Sequence, residues 1–416
     1  MGDSEAVADS PKRTQRLTSS PSRTAFVLEL LREEAAGGIV LTAALALAVI
    51  VATTAPGLYA GFVGHPLSIW SVPSSQISDV ASLITNGAMI AFFAAVGLEI
   101  GRERADGALA DRSTAILPVV AALGGMAAAA GVYAVTVLLL GVHGALGGWG
   151  IPMATDVAFT LGALTLIGGR ASLELRVFLL TLAVADDVAS VLVLAATGDH
   201  GPAVSRLTGA TLVAGVAAVI AVTLLARRRR APWPVFAGAG LCLWWLLAQL
   251  GIEPTLAGVV IGVMVPTGHA VRSPGITLER AAVPLSTFLI LPLFALVAGG
   301  VNLSAQPWTG QSGLMIAILA ARSLGKFLGI TGGVLLALRF GLGRLPRHTS
   351  LRQMVGASLL CGIGFTVPLL FANKAFAHAP HLLDATKVGL LVASLLCAVV
   401  GLVIMAAPSK NERRGE

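Results

Sequence analysis

The feature that most constrains this chain is a series of long apolar runs separated by short polar links. A helix needs ~20 mostly apolar residues to cross a bilayer. The sequence offers twelve such runs, at about 36–55, 80–100, 115–140, 151–169, 173–197, 207–226, 233–250, 254–268, 283–301, 312–338, 353–375 and 383–407. Apolar residues make up 56% of the 416 and charged residues only 12%, about half the ~25% usual in a soluble domain. A soluble globular enzyme could not cover its surface with so few charges. Disordered, collagen-like and coiled-coil chains are excluded by the same figures. The fold class expected is an all-α polytopic membrane protein with twelve transmembrane helices.

The net charge of +7 does not point to nucleic acid, because the basic residues sit in short clusters between the apolar runs. With the N-terminal side taken as inside, 23 of the 28 Lys and Arg fall on inner segments, including Arg227–Arg230. Only Arg206, Lys374 and Lys387 fall outside, and Arg322 and Lys326 lie within a span. Cytoplasmic loops carry such an excess, so both termini are expected in the cytoplasm. Residues 1–35 read as a polar cytoplasmic tail, ending in a segment from Ala25 to Ala35 suited to the membrane surface. Residues 36–407 form the transmembrane domain and 408–416 a cytoplasmic C-terminal tail. Cys242, Cys361 and Cys397 all lie in apolar stretches and offer no CxxC metal spacing. No cofactor motif is present.

Ionisable residues inside the membrane are costly and therefore functional candidates. Here they are Asp156 in span four, Asp186 and Asp187 in span five, and Lys326 in span ten, with Glu99 and Arg322 nearer span ends. The Asp186–Asp187 pair lies in Leu182-Ala183-Val184-Ala185-Asp186-Asp187-Val188-Ala189. Two adjacent carboxylates in an apolar helix cannot both stay charged without help. A cation supplies the missing charge, or a proton does, so the two compete for one site.

Two spans carry signs of interruption. Span four holds Pro152, which cannot donate a backbone hydrogen bond, beside Thr155 and Asp156, which offer competing side-chain partners. Asp156 there either offsets exposed helix N-termini or binds cation. Span eleven holds Gly362-Ile363-Gly364-Phe365-Thr366-Val367-Pro368. Such pairs of broken helices mark the midplane site of a transporter. Lys326 needs an acid, and Asp187, Asp186 and Asp156 are all candidates; it is also a second candidate proton carrier. Arg322, one turn earlier, either gates or ends its span. Spans three to five and ten to twelve each place the interrupted span in the middle. Four spans intervene, so the triplets run in opposite directions, as in an inverted repeat.

These residues sit in motifs that resemble the NhaA-type sodium/proton antiporter family. The motifs are Val96-Gly97-Leu98-Glu99, Thr155-Asp156-Val157-Ala158-Phe159, Asp186-Asp187, Thr255-Leu256-Ala257-Gly258-Val259, Leu291-Pro292-Leu293-Phe294-Ala295, Gly325-Lys326 and Cys361-Gly362-Ile363-Gly364-Phe365-Thr366. The resemblance runs from about Gly37 to Ala407. It implies twelve helices with spans four and eleven unwound and crossing. It implies Na⁺ or Li⁺ moving outward against protons by alternating access, electrogenically, in a homodimer of a bacterial plasma (inner) membrane. By motif, Asp187 and Asp186 correspond to the cation and proton carboxylates, and Thr155 and Asp156 to supporting residues that help hold the transported Na⁺. Lys326 corresponds to the buried lysine paired with a site carboxylate. Glu99 corresponds to a funnel acid linked to pH response, while Gly362, Gly364 and Thr366 support the second break. Asn86, Glu253 and Ala298 depart from the family pattern, where an acid, a histidine and an asparagine are common, so the family's pH profile is not carried over.

Other classes fit less well. A proton-coupled carrier of another cation or solute is the nearest alternative, but an organic solute needs a more polar cavity. An intramembrane aspartyl protease would leave the lysine and second break without a role. A passive channel would show acidic rings or a carbonyl filter, and none is visible.

Overall fold

The computed structural model describes residues 23–67, 77–105, 112–166, 171–197, 217, 220, 233–250, 253–266, 274–306, 308–343, 345–346 and 349–407. Those residues fold into helices: with no water at mid-bilayer, each apolar run must satisfy its backbone internally. In chain order they are α1 (Arg23–Thr54), α2 (Pro56–Val63), α3 (Val80–Ala105), α4 (Arg112–Leu139), α5 (Val157–Leu166), α6 (Leu173–Thr197) and α7 (Trp233–Leu250). They continue as α8 (Leu256–Met264), α9 (Pro274–Leu285), α10 (Leu291–Ala298), α11 (Ser312–Arg339), α12 (Leu351–Leu360), α13 (Thr366–Ala375) and α14 (Pro380–Ala406). Side-chain caps define two starts. Asp79 accepts from the Ser82 amide at 2.8 Å before α3, and Ser350 accepts from the Gln353 amide at 3.2 Å before α12.

Seven of the described helical segments are long and apolar enough to cross a membrane. They correspond to expected spans one, two, three, five, nine, ten and twelve. Spans four and eleven are divided into shorter pieces, and spans seven and eight correspond to α7 and α8. Span six, at 207–226, lies outside the described residues except for 217 and 220. Two boundaries differ from the apolar count. Helix α1 is continuous from Arg23, without a break between the expected surface segment and the first span. The ninth span begins not at 283 but at Pro274, taking in Glu279, whose charge is met by Arg102 at 3.1 Å.

A large central core, with residues such as Leu41, Phe93, Tyr133, Phe294, Ile318, Phe371 and Leu390, joins α1, α3, α4, α10, α11, α13 and α14, and two smaller cores define two helix groups. One core joins α4, α5, α6, α11, α12 and α14 through residues such as Leu117, Leu161, Leu175, Leu182, Ile330, Leu360 and Cys397. The other joins α3, α7, α8 and α9 through Leu98, Phe236, Leu243, Ile261 and Ala282. Small residues let helices within each group touch at the backbone, as membrane packing favours. A Cβ added at Gly97 on α3 would meet the Val259 carbonyl of α8 at 2.5 Å, and one at Gly124 on α4 would meet the Gly329 carbonyl of α11 at 2.6 Å.

Candidate functional site

Two breaks in the helices meet beside the boundary between the groups. After the turn at 151–153, residues 154–156 are non-helical and α5 begins at Val157. Helix α12 stops at Leu360, residues 361–365 are non-helical, and α13 begins at Thr366. The two stretches bond to each other: the Asp156 amide donates to the Ile363 carbonyl at 3.1 Å, and the Thr155 hydroxyl to the Cys361 carbonyl at 3.0 Å. Backbone freed at each break is thereby satisfied by the other, the condition for non-helical chain at this depth.

Charge follows helix polarity throughout the crossing. Asp156 adjoins the N-terminus of α5 and accepts at one oxygen, Oδ2, from the Thr366 amide at 3.2 Å and the Thr366 hydroxyl at 2.8 Å, at the start of α13. An anion at two helix N-termini offsets their partial positive charge. Fully buried Arg322 serves the opposite ends. Its Nε donates to the Gly362 carbonyl at 2.8 Å, just past the end of α12, and an Nη donates to the Ala154 carbonyl at 3.2 Å. Arg322 does not end its span, which runs on to Arg339; it ties the two breaks together. The glycines at 362 and 364 permit this approach: a Cβ at Gly362 would meet the Arg322 carbonyl at 2.8 Å, and one at Gly364 would meet the Arg322 guanidinium.

The neighbouring aspartates face different surroundings. Asp186 is fully buried, and its Oδ2 accepts from Lys326 Nζ at 2.8 Å and from the Thr155 amide at 2.6 Å. Lys326 also donates to the Thr155 hydroxyl at 2.7 Å. Of the three candidate partners, Lys326 therefore takes Asp186. Asp187 instead lines a cavity of about 60 Å³ together with Thr155, Asp156, Thr366, Phe92 and Glu99; Oδ1 of each aspartate is buried without a hydrogen-bond partner among the described residues. The cavity lies between the two helix groups, walled by α3 and the α9–α10 region on one side and by both breaks and α6 on the other. Asp186 does not line it.

Glu99 stands on the cavity wall, 3.8 Å from Arg102. Arg102 also lies 3.4 Å from Glu103 and 3.1 Å from Glu279. The three departures from the family pattern lie elsewhere. The Asn86 carbonyl accepts from the Trp244 indole at 2.7 Å, Glu253 pairs with Lys374, and Ala298 is buried at the end of α10.

A helical chain that carries two broken helices, crossed around buried acids beside a small cavity, is a multi-pass membrane transporter rather than an enzyme. The chain belongs to the Na⁺/H⁺ antiporter 1 family, which it matches over residues 28–405. Its relatives include the Na(+)/H(+) antiporter NhaA of Serratia proteamaculans, 39% identical over 387 residues that span 91% of this chain and 97% of that one. NhaA 2 of Pseudomonas syringae is 37% identical over 398 residues, 93% of this chain and 96% of its own. NhaA of Yersinia pseudotuberculosis is 38% identical over 400 residues, 94% and 98% respectively.

Proposed function

We propose that this chain exports Na⁺, and Li⁺ likewise, in exchange for protons across a bacterial plasma membrane, with cation and proton competing for Asp187. Family membership supports Na⁺/H⁺ exchange. The observation that carries the site assignment is that Asp187 lines the cavity with no ion-pair partner among the described residues, whereas Asp186 does not line it. Asp186 already has a fixed countercharge in Lys326 at 2.8 Å. Asp187 has no such cation, so either Na⁺ or a proton completes its charge, and one expels the other. The Asp186–Lys326 pair provides a second proton-binding group. Release from Lys326 as Na⁺ enters would move more than one proton per cation and make the exchange electrogenic. Asp156 and Thr366 supply further oxygens at the cavity.

The cavity volume speaks against the alternative of an organic cargo. About 60 Å³ holds a small ion with a few waters, whereas pockets for organic ligands run to ~300 Å³ and above. The rest of the reading is a twelve-span architecture, an inverted repeat of spans three to five and ten to twelve, alternating access, cytoplasmic termini and a homodimer. The order of apolar runs, the charge asymmetry and the family resemblance support these.

The test is a proteoliposome with an imposed pH gradient, to which Na⁺, Li⁺ or K⁺ is added separately. Na⁺ and Li⁺ should collapse the gradient, and Asp187→Asn should abolish the collapse while the protein remains folded and inserted. Normal exchange in that variant would overturn the assignment of Asp187.

A further inference from the structure

The two ends of the cavity region differ. Helices α3 and α8 run parallel: Gly258 packs against Ile90 and Phe93–Ala94, and Gly262 against Ala94 and Gly97. Glu99 on the cavity wall is therefore level with the C-terminal end of α8. Glu253 precedes the start of α8, roughly 15 Å away along the helix axis. On the other side of the cavity, α13 starts at Thr366, and Lys374 lies eight residues on, about 12 Å along that helix. At this far end Lys374 and Glu253 form an ion pair. The second Glu253 oxygen accepts from the Thr255 hydroxyl at 2.6 Å. The carboxylate is 2% exposed and the ammonium 35%. Glu253 adjoins α8 in one helix group, while Lys374 ends α13, which continues through the crossing from α12 of the other group. The pair bridges the groups on the side away from Glu99. Close in the chain, Lys387 on α14 donates to the Gly300 carbonyl, just past α10, at 3.0 Å.

We infer that the Glu253–Lys374 pair is a latch that closes this end of the ion pathway, intact while the cavity is reached from the Glu99 side and broken when the groups part. The inference rests on the exchange by alternating access proposed above. An ion pair suits the task better than an apolar seal. While the groups stay together, losing Lys374 strands the buried Glu253 carboxylate, which is strongly unfavourable. When they part, water reaches both charges and replaces the pair at little net cost, as for other partly exposed pairs. The contact therefore resists local fluctuation but yields to separation of the groups.

The experiment uses the full chain with Glu253→Cys and Lys374→Cys combined, reconstituted in vesicles and compared with each single variant. The reduced double variant should move protons in response to Na⁺. A bifunctional methanethiosulfonate reagent should bridge the two thiols, lower exchange at least about ten-fold, and leave the single variants unaffected; reductant should restore it. Undiminished exchange with the two thiols bridged would overturn the latch. Charge variants give an independent readout. Lys374→Glu should shift the apparent KM for Na⁺ by up to about ten-fold, the scale of one partly exposed pair, and adding Glu253→Lys should reverse that shift. A swap that restores nothing also overturns the latch. Absence of Na⁺-coupled proton flux in the wild-type vesicles would instead sink the exchange reading itself.

Discussion

Asp186 and Asp187 share one helix turn and the same apolar flanks, yet the rotation of α6 gives them different partners. Asp186 meets Lys326 and the Thr155 amide, while Asp187 lines the cavity with no ion-pair partner among the described residues. This difference predicts opposite stability effects from the same substitution. Asp186→Asn strands the Lys326 ammonium, and removing one member of a buried pair costs about 3–5 kcal/mol. Asp187→Asn removes a charge that has no fixed countercharge, so the resting protein should be as stable as the wild type or more so. Thermal unfolding in detergent at neutral pH and without Na⁺ checks both. Equal destabilisation by the two variants would mean that both aspartates are paired. The sequence marks the pair and the lysine as misplaced charges, but it does not say which aspartate the lysine meets. That depends on the rotation of α6 against α11, and residue spacing within one helix does not set it. Arg322 was harder still to read. It grips the carbonyls of Ala154 and Gly362, backbone atoms far away in the chain that leave no side-chain signature.

At the scale of elements, apolar run length located most boundaries, because backbone satisfaction in lipid leaves little else for such runs to do. Span five is the clearest case, read and found at Leu173–Thr197. The start of span nine was misjudged because Glu279 and Arg280 count against an apolar window, although Arg102 holds Glu279 within the bundle. The breaks were legible in Pro152 and in Gly362 and Gly364; the hydrogen bonds that join them were not. Glycine also positions α11, which carries Lys326. A Cβ at Gly333 would meet the Val120 carbonyl at 2.8 Å, and one at Gly329 would press on backbone at Gly124, whereas Gly332 on the same helix faces open space. Gly329→Val should therefore push α11 away from α4, cost about 1–3 kcal/mol and slow exchange by moving Lys326 off Asp186. Gly332→Ala should leave both unchanged. Detergent melting and vesicle flux on the two variants separate the outcomes, and equal tolerance would mean that the α4–α11 contact does not hold the lysine in place.

Across the whole molecule, two helix groups joined by a shared core flank a small cavity among the described residues, and the charges are distributed unevenly between its ends. Arg102, Arg104 and Glu279 adjoin the cavity end marked by Glu99. Lys374 lies at the other end, beside Glu253. Basic residues in short loops are retained on the cytoplasmic side during insertion, so the Glu99 end should face the cytoplasm. On the exchange proposed above, that orientation would set the direction: protons would reach Asp187 from outside only after the Glu253 end has opened, and Na⁺ would enter from the cytoplasm past Glu99. Single cysteines test it in intact cells. A cysteine at Arg104 should react with a membrane-impermeant thiol reagent only after the cells are opened. One at His378, in the link between α13 and α14, should react from outside. The reverse labelling would invert the transporter, and labelling of both from one side would mean that an odd number of spans is missing or added between residues 104 and 378. Span six is the element most exposed to that outcome, since it rests on the apolar run at 207–226 alone.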